Sequence, residues 1–492
     1  MRRFLSIISI IIALTAHVSA ADVVCTPGTL GQAVGNDTDA TYLKVSGTIN
    51  AADFDFITKK MTALATLDLS EATIEVYHGD PVITGRTDFK ANTLPEYALA
   101  GTNISQIMLP NGIMEIGEGA FLGTPIKAIN FPSSVEIIGN SAFVNCDSLT
   151  SVNINCEIIR DYAFMDCDNL NSVVIGNAAD AISKAAFKNC KSLASLTLPA
   201  VLSVIGNETF AGCSSLATVK FPDTLTRIGD RAFYNSGIES IDLSNTYVRY
   251  IGQWAFANCA NLRSATLNDN IATIGQAAFF DCHNLATYNT PASCSTIEQF
   301  AHKGNTSLQT DKLLHNNITA IGDYALMGMS HIAEIFIPES VDSIGNNAFE
   351  NWASLTGIYA PNHFAVPRLG QEVWKNVDQS KATLYVNAET CNAFAVTDQW
   401  KDFNISITVG TDNTIANDNA VKAHFAGTDL IITADLNIAL ASVYDSWGLQ
   451  YILVQPHSDN ITIDTSAWGN NIYIIKVILD NATTASFKLS RR

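Results

Sequence analysis

Six of the ten cysteines in this 492-residue chain stand three residues after a phenylalanine: Cys146, Cys167, Cys190, Cys213, Cys259 and Cys282. Regularly placed thiols can pair as disulfides, ligate a metal, or stay protonated inside a core. Their intervals of 21, 23 and 46 residues fit no zinc-site pattern. Stacking of repeats could bring them within disulfide reach, which keeps a disulfide framework open. One thiol per repeat, replaced by Ser236 and Asn305 in the same slot elsewhere, reads better as a column of small buried apolar groups. The nine histidines are scattered without ligand spacing, and no Ser-His-Asp or paired-carboxylate motif occurs at short range. The polar loop from Asp412 to Asp418 lacks the spaced carboxylates and terminal Glu of a calcium loop, so it reads as a solvated linker. The expectation is a protein that is not an enzyme and carries no metal or cofactor.

What positions the cysteines is a short phrase repeated twelve times. Clear copies are Ile116-Gly117-Glu118-Gly119-Ala120-Phe121, Ile228-Gly229-Asp230-Arg231-Ala232-Phe233 and Ile344-Gly345-Asn346-Asn347-Ala348-Phe349. The copies end at Leu99, Phe121, Phe143, Phe164, Phe187, Phe210, Phe233, Phe256, Phe279, His302, Leu326 and Phe349, so the period is 21 to 24 residues. That period marks a solenoid of leucine-rich-repeat type, whose coils hide their apolar sides only by stacking. The fold class expected is an α/β solenoid with one short parallel strand per coil, followed by a small all-β sandwich.

Each phrase is followed by an alternating stretch, as in Leu193-Ala194-Ser195-Leu196-Thr197-Leu198-Pro199. Strand alternation turns Leu196 and Leu198 inward, and Ser195, Thr197 and Pro199 outward. Seven prolines (110, 132, 199, 222, 291, 338 and 361) close such stretches; lacking an amide donor, they end the ladder at one rim. The Ala-Phe end reads as a brief helical or 3₁₀ turn on the opposite wall. The Gly after Ile is replaced by Arg160, Ser183 and Glu298 in three copies, so a tight turn rather than positive φ is expected there.

The ends differ in pattern. Residues 1–20 combine Arg2-Arg3, an apolar run and Val18-Ser19-Ala20, and read as a secretory signal peptide; Cys25 lies too far along for a lipid anchor. No later segment is long and apolar enough to span a membrane. Residues 21–92 form an amino-terminal cap, with strands at 42–45 and 64–69, a helix at 51–61 and an irregular insertion at 71–93. Residues 93–408 form the solenoid and its far cap, where Val373-Trp374, a strand at 382–386 and a helix toward Trp400 seal the core. Residues 409–492 lose the period; runs at 430–432, 438–443, 451–454, 461–463, 472–479 and 486–489 read as strands of an antiparallel sandwich.

The chain carries 28 basic and 47 acidic residues, a net charge of −19 that falls to −21 once the two leader arginines are gone. Nucleic acid and anionic membranes are therefore poor partners. The outward position of each strand changes chemistry at nearly every step: Met108, Asn130, Asn153, Val174, Thr197, Lys220, Asp242, Thr266, Asn289, Lys312, Phe336 and Tyr359. Twelve such positions at about 4.8 Å spacing make a strip roughly 55–60 Å long, suited to a macromolecule. Phe336 and Tyr359 are the expected hot spot for a protein ligand. Glycan capture would need aromatic platforms, of which only these two and Tyr288 offer themselves; a structural role in the envelope is the third reading.

The pattern Leu-x-x-Ile-x-Ile-Pro, Ile-Gly-x-x-Ala-Phe-x-x-Cys-x-x-Leu, as in Leu193 through Ile205-Gly206 and Cys213 to Leu216, resembles the BspA-like (Treponema pallidum type) leucine-rich-repeat family. The likeness covers about residues 93–405, including the closing segment. It implies a secreted or surface-attached bacterial protein, adhesion to a protein or glycan of a host or neighbouring cell, and no catalytic residues. The copies depart from the pattern at Glu298, His302 and Asp311, which suggests a kinked or loosened coil. Val443-Tyr444-Asp445 to Gly448, Ile472-Tyr473-Ile474-Ile475-Lys476-Val477 and Lys488-Leu489-Ser490-Arg491-Arg492 resemble the sorting domain of type IX secretion in Bacteroidetes, with Asn471 where a glycine usually precedes the Tyr-Ile pair. That likeness implies an export signal removed on delivery. Ligand identity and oligomeric state are not written in the sequence.

Overall fold

A computed structural model describes residues 20–309, 313–360, 363, 365–407, 421–445, 450–454, 456, 458–468, 472–479 and 484–490. Residues 1–19 of the expected leader (1–20), Asp311, Lys312, Pro361, the polar stretch 408–420, Gly448, Asn471 and Arg491-Arg492 lie outside these residues. The chain packs as two units, Met1–Pro199 and Ala200–Arg492.

In the first unit the parallel strands Ala20–Cys25, Tyr42–Ile49, Thr66–Ile74 and Gln106–Met108 lie side by side in that order. Leu43, Leu67 and Ile107 fall opposite one another and are buried. The expected helix is Ala51–Lys60, and Asp53 explains its start: the carboxylate accepts from the amides of Asn50 (2.9 Å), Gly28 (2.8 Å) and Leu30 (2.9 Å). This buried anion satisfies orphan helix donors and pins the preceding segment. The strand Ala20–Cys25 and the helix Leu30–Val34 carry no pattern that the sequence reading caught. The insertion contains an antiparallel hairpin, Tyr77–Val82 with Arg86–Phe89.

Most described coils contribute the expected strand, the stretches around Asn130 and Lys220 being exceptions, and each also contributes a second one. Ser151–Ile154, Ser172–Ile175 and Ser195–Thr197 pair in parallel register. The second strand is only two residues long and contains the phrase's own Ile, as in Glu115–Ile116, Ile137–Ile138 and Ile158–Ile159. Pro199 is buried, not outward, and Leu196 and Leu198 are half-buried. The prolines work as turn openers: the carbonyls of Pro110 and Pro132 accept from Ile113 (3.2 Å) and Val135 (3.0 Å), folding the chain back over the core.

The Ala-Phe wall is not helical. The residue before Ala is left-handed in every coil, with φ of 58° at Gly119, 51° at Ser141 and 61° at Tyr162, and a second left-handed residue follows at Gly123, Asn145 and Asp166. The alternation points every other amide at the next coil: Gly119 donates to Asn140 O (2.9 Å), Phe121 to Ala142 O (2.8 Å) and Gly123 to Val144 O (2.8 Å). A 3₁₀ helix would spend these donors within its own turn. The Gly after Ile does have negative φ, as expected, and in the coils that carry it the preceding coil comes close. A Cβ on Gly139 would meet Ile116 O at 2.7 Å.

The core is a column of rings. Phe121, Phe143, Phe164 and Phe187 stack at 4.8, 4.9 and 5.3 Å with interplanar angles of 9°, 2° and 0°. Burying each ring contributes about 1.5–3 kcal/mol, and each stacked contact about 0.5–1.5 kcal/mol more.

The second unit repeats this construction. Phe210, Phe233, Phe256 and Phe279 stack at 5.4, 5.3 and 5.5 Å, and His302 continues the column 5.6 Å from Phe279 and 5° from coplanar. His302 therefore keeps the stack where a loosened coil was expected. Trp374 stacks on Phe349 at 4.6 Å and meets Trp400 and Phe403 edge-on, closing this end of the core. The expected cap elements are the strand Thr383–Val386 and the helix Cys391–Val396.

The C-terminal residues form one connected antiparallel sheet. Two of the expected runs are a single strand, Asp429–Asp445, with a register shift between Thr433 and Ile438. Its first half pairs with Val421–Ala426 and Ser458–Asp464, and its second with Gln450–Val454 and Ile472–Leu479; Thr484–Ser490 extends the edge. Leu430, Ile432, Val443, Tyr473, Ile475 and Val477 form its core.

Candidate binding surface

All ten cysteines are free thiols; nine are buried and Cys391 is half-buried. The column has a second purpose that spacing did not reveal. The thiols of Cys146, Cys167 and Cys190 donate to the carbonyls of Phe121 (3.1 Å), Phe143 (3.0 Å) and Phe164 (3.2 Å), one coil back, and Cys259 and Cys282 do the same to Phe233 and Phe256, both at 3.1 Å. In the same slot Trp352 donates its indole N–H to Leu326 O at 2.7 Å. Burial pushes the Cys146 and Cys259 thiols up to about 11, so the nucleophilic thiolate is suppressed. Among the described residues no group of three or more His, Cys, Asp or Glu could hold a metal ion, and no helix is long and apolar enough to cross a membrane.

The expected outward column runs in two separately described stretches, with Asn130 and Lys220 standing outside any strand. In the first unit Met108, Asn130, Asn153, Val174 and Thr197 are exposed, with Asn153, Val174 and Thr197 directly opposite one another on adjacent strands. In the second unit Lys220, Asp242 and Thr266 are exposed, while Asn289, Phe336 and Tyr359 are half-buried. Lys312 lies outside the described residues.

Two column members are committed to the scaffold. Asp242 accepts from the amide (3.0 Å) and hydroxyl (2.7 Å) of Ser244, which hold its carboxyl below the usual range. Asn289 accepts from Leu267 N at 3.0 Å and donates back to Leu267 O at 3.2 Å. Tyr288 is no platform. It is only 4% exposed, lies edge-on against Phe279 and His302, and its hydroxyl has no hydrogen-bond partner among the described atoms. Its position in the strand is an inward one, which the alternation should have indicated.

The sequence reading missed Tyr385. Phe336, Tyr359 and Tyr385 stand opposite one another on three adjacent parallel strands, and the two tyrosine rings stack at 4.7 Å and 7°. Tyr385 belongs to the cap, outside the period. The alternation Leu384-Tyr385-Val386 repeats that of Ile358-Tyr359-Ala360 and was the available signal. Beneath the outward rings Ile335, Ile358 and Leu384 are buried, so the trio rests on a packed sheet. Tyr359 donates to Glu334 at 3.3 Å, and Lys476 of the C-terminal sheet donates to the other oxygen of Glu334 at 3.2 Å. Burial, then the nearby Glu334 carboxylate, raises the Tyr359 hydroxyl above its ordinary range and keeps it a neutral donor.

The profile of the family described as "BspA type Leucine rich repeat region (6 copies)" matches residues 92–200, 180–309, 255–381 and 306–420. No protein of curated function matches the chain. A leucine-rich repeat protein from Bacteroides ovatus is similar in fold, with TM-score 0.58 and 20% identity over 74% of this chain and 88% of that one. A leucine rich cell surface protein from Faecalibacterium prausnitzii aligns with TM-score 0.34 and 22% identity over 56% of this chain and 85% of that one. A leucine rich repeat protein from T. pallidum aligns with TM-score 0.25 and 25% identity over 37% and 70% of the two chains. With the coil geometry and a profile match running through more than half of its length, this chain belongs to the BspA-type leucine-rich-repeat family.

Proposed function

We propose that this chain is a secreted or surface-held, adhesin-like binding protein that recognises an extracellular protein of a host or neighbouring cell through its outward strand face. The observation carrying the reading is the aligned trio Phe336, Tyr359 and Tyr385, half-buried on a rigid parallel sheet. Aromatic anchors fixed by a scaffold lose little freedom on binding and are the residues that most often dominate protein interfaces. The changing chemistry of Met108, Asn130, Asn153, Val174, Thr197, Lys220 and Thr266 supplies specificity around such anchors. Family membership supports a role in binding rather than catalysis.

Glycan capture is the second reading, favoured by the same stacked tyrosines, since a ring face suits the apolar face of a sugar. The two part company in a comparison of immobilised extracellular-matrix proteins with a glycan array. Protein binding that the double variant Phe336→Ala, Tyr359→Ala weakens by a factor of about ten or more, with circular dichroism unchanged, is the expected result. Binding to glycans alone ends the adhesin reading.

For delivery, we infer a leader at residues 1–20 and an export role for the C-terminal sheet. Its support is the resemblance around Tyr473 and Lys488, and the separate hydrophobic core that lets residues 421–490 form a sheet of their own.

A further inference from the structure

The Ala-Phe wall of the second unit carries a second aromatic run, on coil positions distinct from the strand column. Trp254 lies 5.1 Å from Phe280, Phe280 lies 6.5 Å from Phe300, and Phe300 stacks on Tyr324 at 5.0 Å and 15°. Four consecutive coils thus contribute one ring each, all of them half-buried. Lys303 sits against three of them, its Nζ 5.5, 5.4 and 5.8 Å from the centres of Phe280, Phe300 and Tyr324.

Folding does not require rings here. Trp254, Phe300 and Tyr324 occupy the left-handed position before Ala, with φ of 58°, 58° and 56°. Bulky residues are poorly suited to that conformation, whereas Gly119 and Asn347 hold the same position in other coils at little cost. The coil accepts a small residue, so the aromatic choice calls for another explanation. The position one coil before Trp254 is Arg231, which is exposed. Two cations therefore flank or sit within a ring-lined stripe, in a chain where acidic residues outnumber basic ones 47 to 28.

We infer that this stripe, Arg231, Trp254, Phe280, Phe300, Lys303 and Tyr324, is a second interaction surface, and that its partner is a protein segment presenting a carboxylate among apolar side chains. Trp, Tyr and Arg are the side chains most enriched in protein hot spots. A lysine bedded in rings is partly desolvated, so an incoming carboxylate gains more from it than from a solvated lysine. The inference is independent of the strand-face proposal, because the two sets of residues share no member.

The test uses a random peptide library displayed on phage and panned against the intact chain, with Trp254→Asn, Phe300→Asn and Lys303→Gln as comparison proteins. Expected are peptides that pair Asp or Glu with apolar residues, enriched about tenfold or more on the wild type over Trp254→Asn/Phe300→Asn. Lys303→Gln should retain apolar peptides and lose the acidic preference. The asparagine variants should stay folded with only a small change in melting temperature, because asparagine's tolerance of left-handed backbone offsets the loss of half-buried ring packing. Equal enrichment on the double variant, a consensus without carboxylates, or a marked fall in melting temperature with binding intact would each overturn the assignment. So would a glycan-array signal lost in these variants, which would turn the stripe into a sugar platform.

Discussion

His302 fills a slot that phenylalanine holds in the coils before it, and the exchange has a measurable consequence. Burial holds its imidazole down to about 3, whereas an unfolded histidine titrates near about 6.5. Between those values the unfolded chain binds a proton that the folded chain refuses, so stability is present above about pH 6.5 and is lost as pH falls below it. This one residue should remove about 2 kcal/mol on going from pH 7 to pH 5. His302→Phe should abolish that share of the pH dependence in denaturant titrations, and an unchanged pH slope in the variant would refute the account. His315 and His363, also lowered by burial, act in the same direction. The substitution was readable as a departure from the phrase but not as a conservative one. That an imidazole can stand in for a phenyl ring follows only once the neighbours are seen to be flat rings stacked face to face. Asn305 completes the fit, donating to His302 Nδ1 at 3.2 Å and accepting from Cys282 N at 3.0 Å.

At the scale of the coil, the strands with strong alternation and the ring column were legible because each is repeated many times over the same period. The two-residue second strand was not, because two residues cannot display an alternation. The left-handed positions divide in an instructive way. The one before the cysteine slot is written in residue type, as Gly123, Asn145, Asp166 and Asn189. The one before Ala holds Ser141, Ala185, Arg231 and Trp254, so residue type conceals a conformation that inter-coil hydrogen bonding imposes. Where glycine follows the phrase's Ile, neighbouring coils approach closely at that point, although Arg160, Ser183 and Glu298 hold it in three other coils. A Cβ on Gly252 would fall against the backbone of Gly229 and Asp230. Gly252→Ala is therefore expected to cost about 1–3 kcal/mol. Gly112→Ala, where nothing lies within 4 Å of the added atom, should stay within about 0.5 kcal/mol of wild type. Equal effects of the two changes in chemical denaturation would show that the coils do not pack this closely.

At the scale of the whole chain, the composition and period announced a stack of coils with a β domain behind it. The candidate site was legible only in part. Alternation marked the outward column, yet it could not show that Asp242 and Asn289 are spent on the scaffold, since their partners, Ser244 and Leu267, are ordinary neighbours in sequence or in the adjoining coil. Delivery makes its own prediction. Mass spectrometry of the protein recovered from its native location should find a new amino terminus near Ala21 and a carboxyl terminus upstream of the C-terminal sheet. An intact carboxyl terminus on a soluble, unanchored product would reject the sorting role.

The thiol ladder bears on how such a molecule could be made. The rungs at Cys146, Cys167, Cys190, Cys259 and Cys282 each join a sulfhydryl to a main-chain oxygen of the preceding coil, and none of the ten thiols is joined to another sulfur. The finished fold accordingly needs neither an oxidase nor a shuffling enzyme. A chain carried from a reducing interior to an oxidising exterior would meet both surroundings with the same covalent structure.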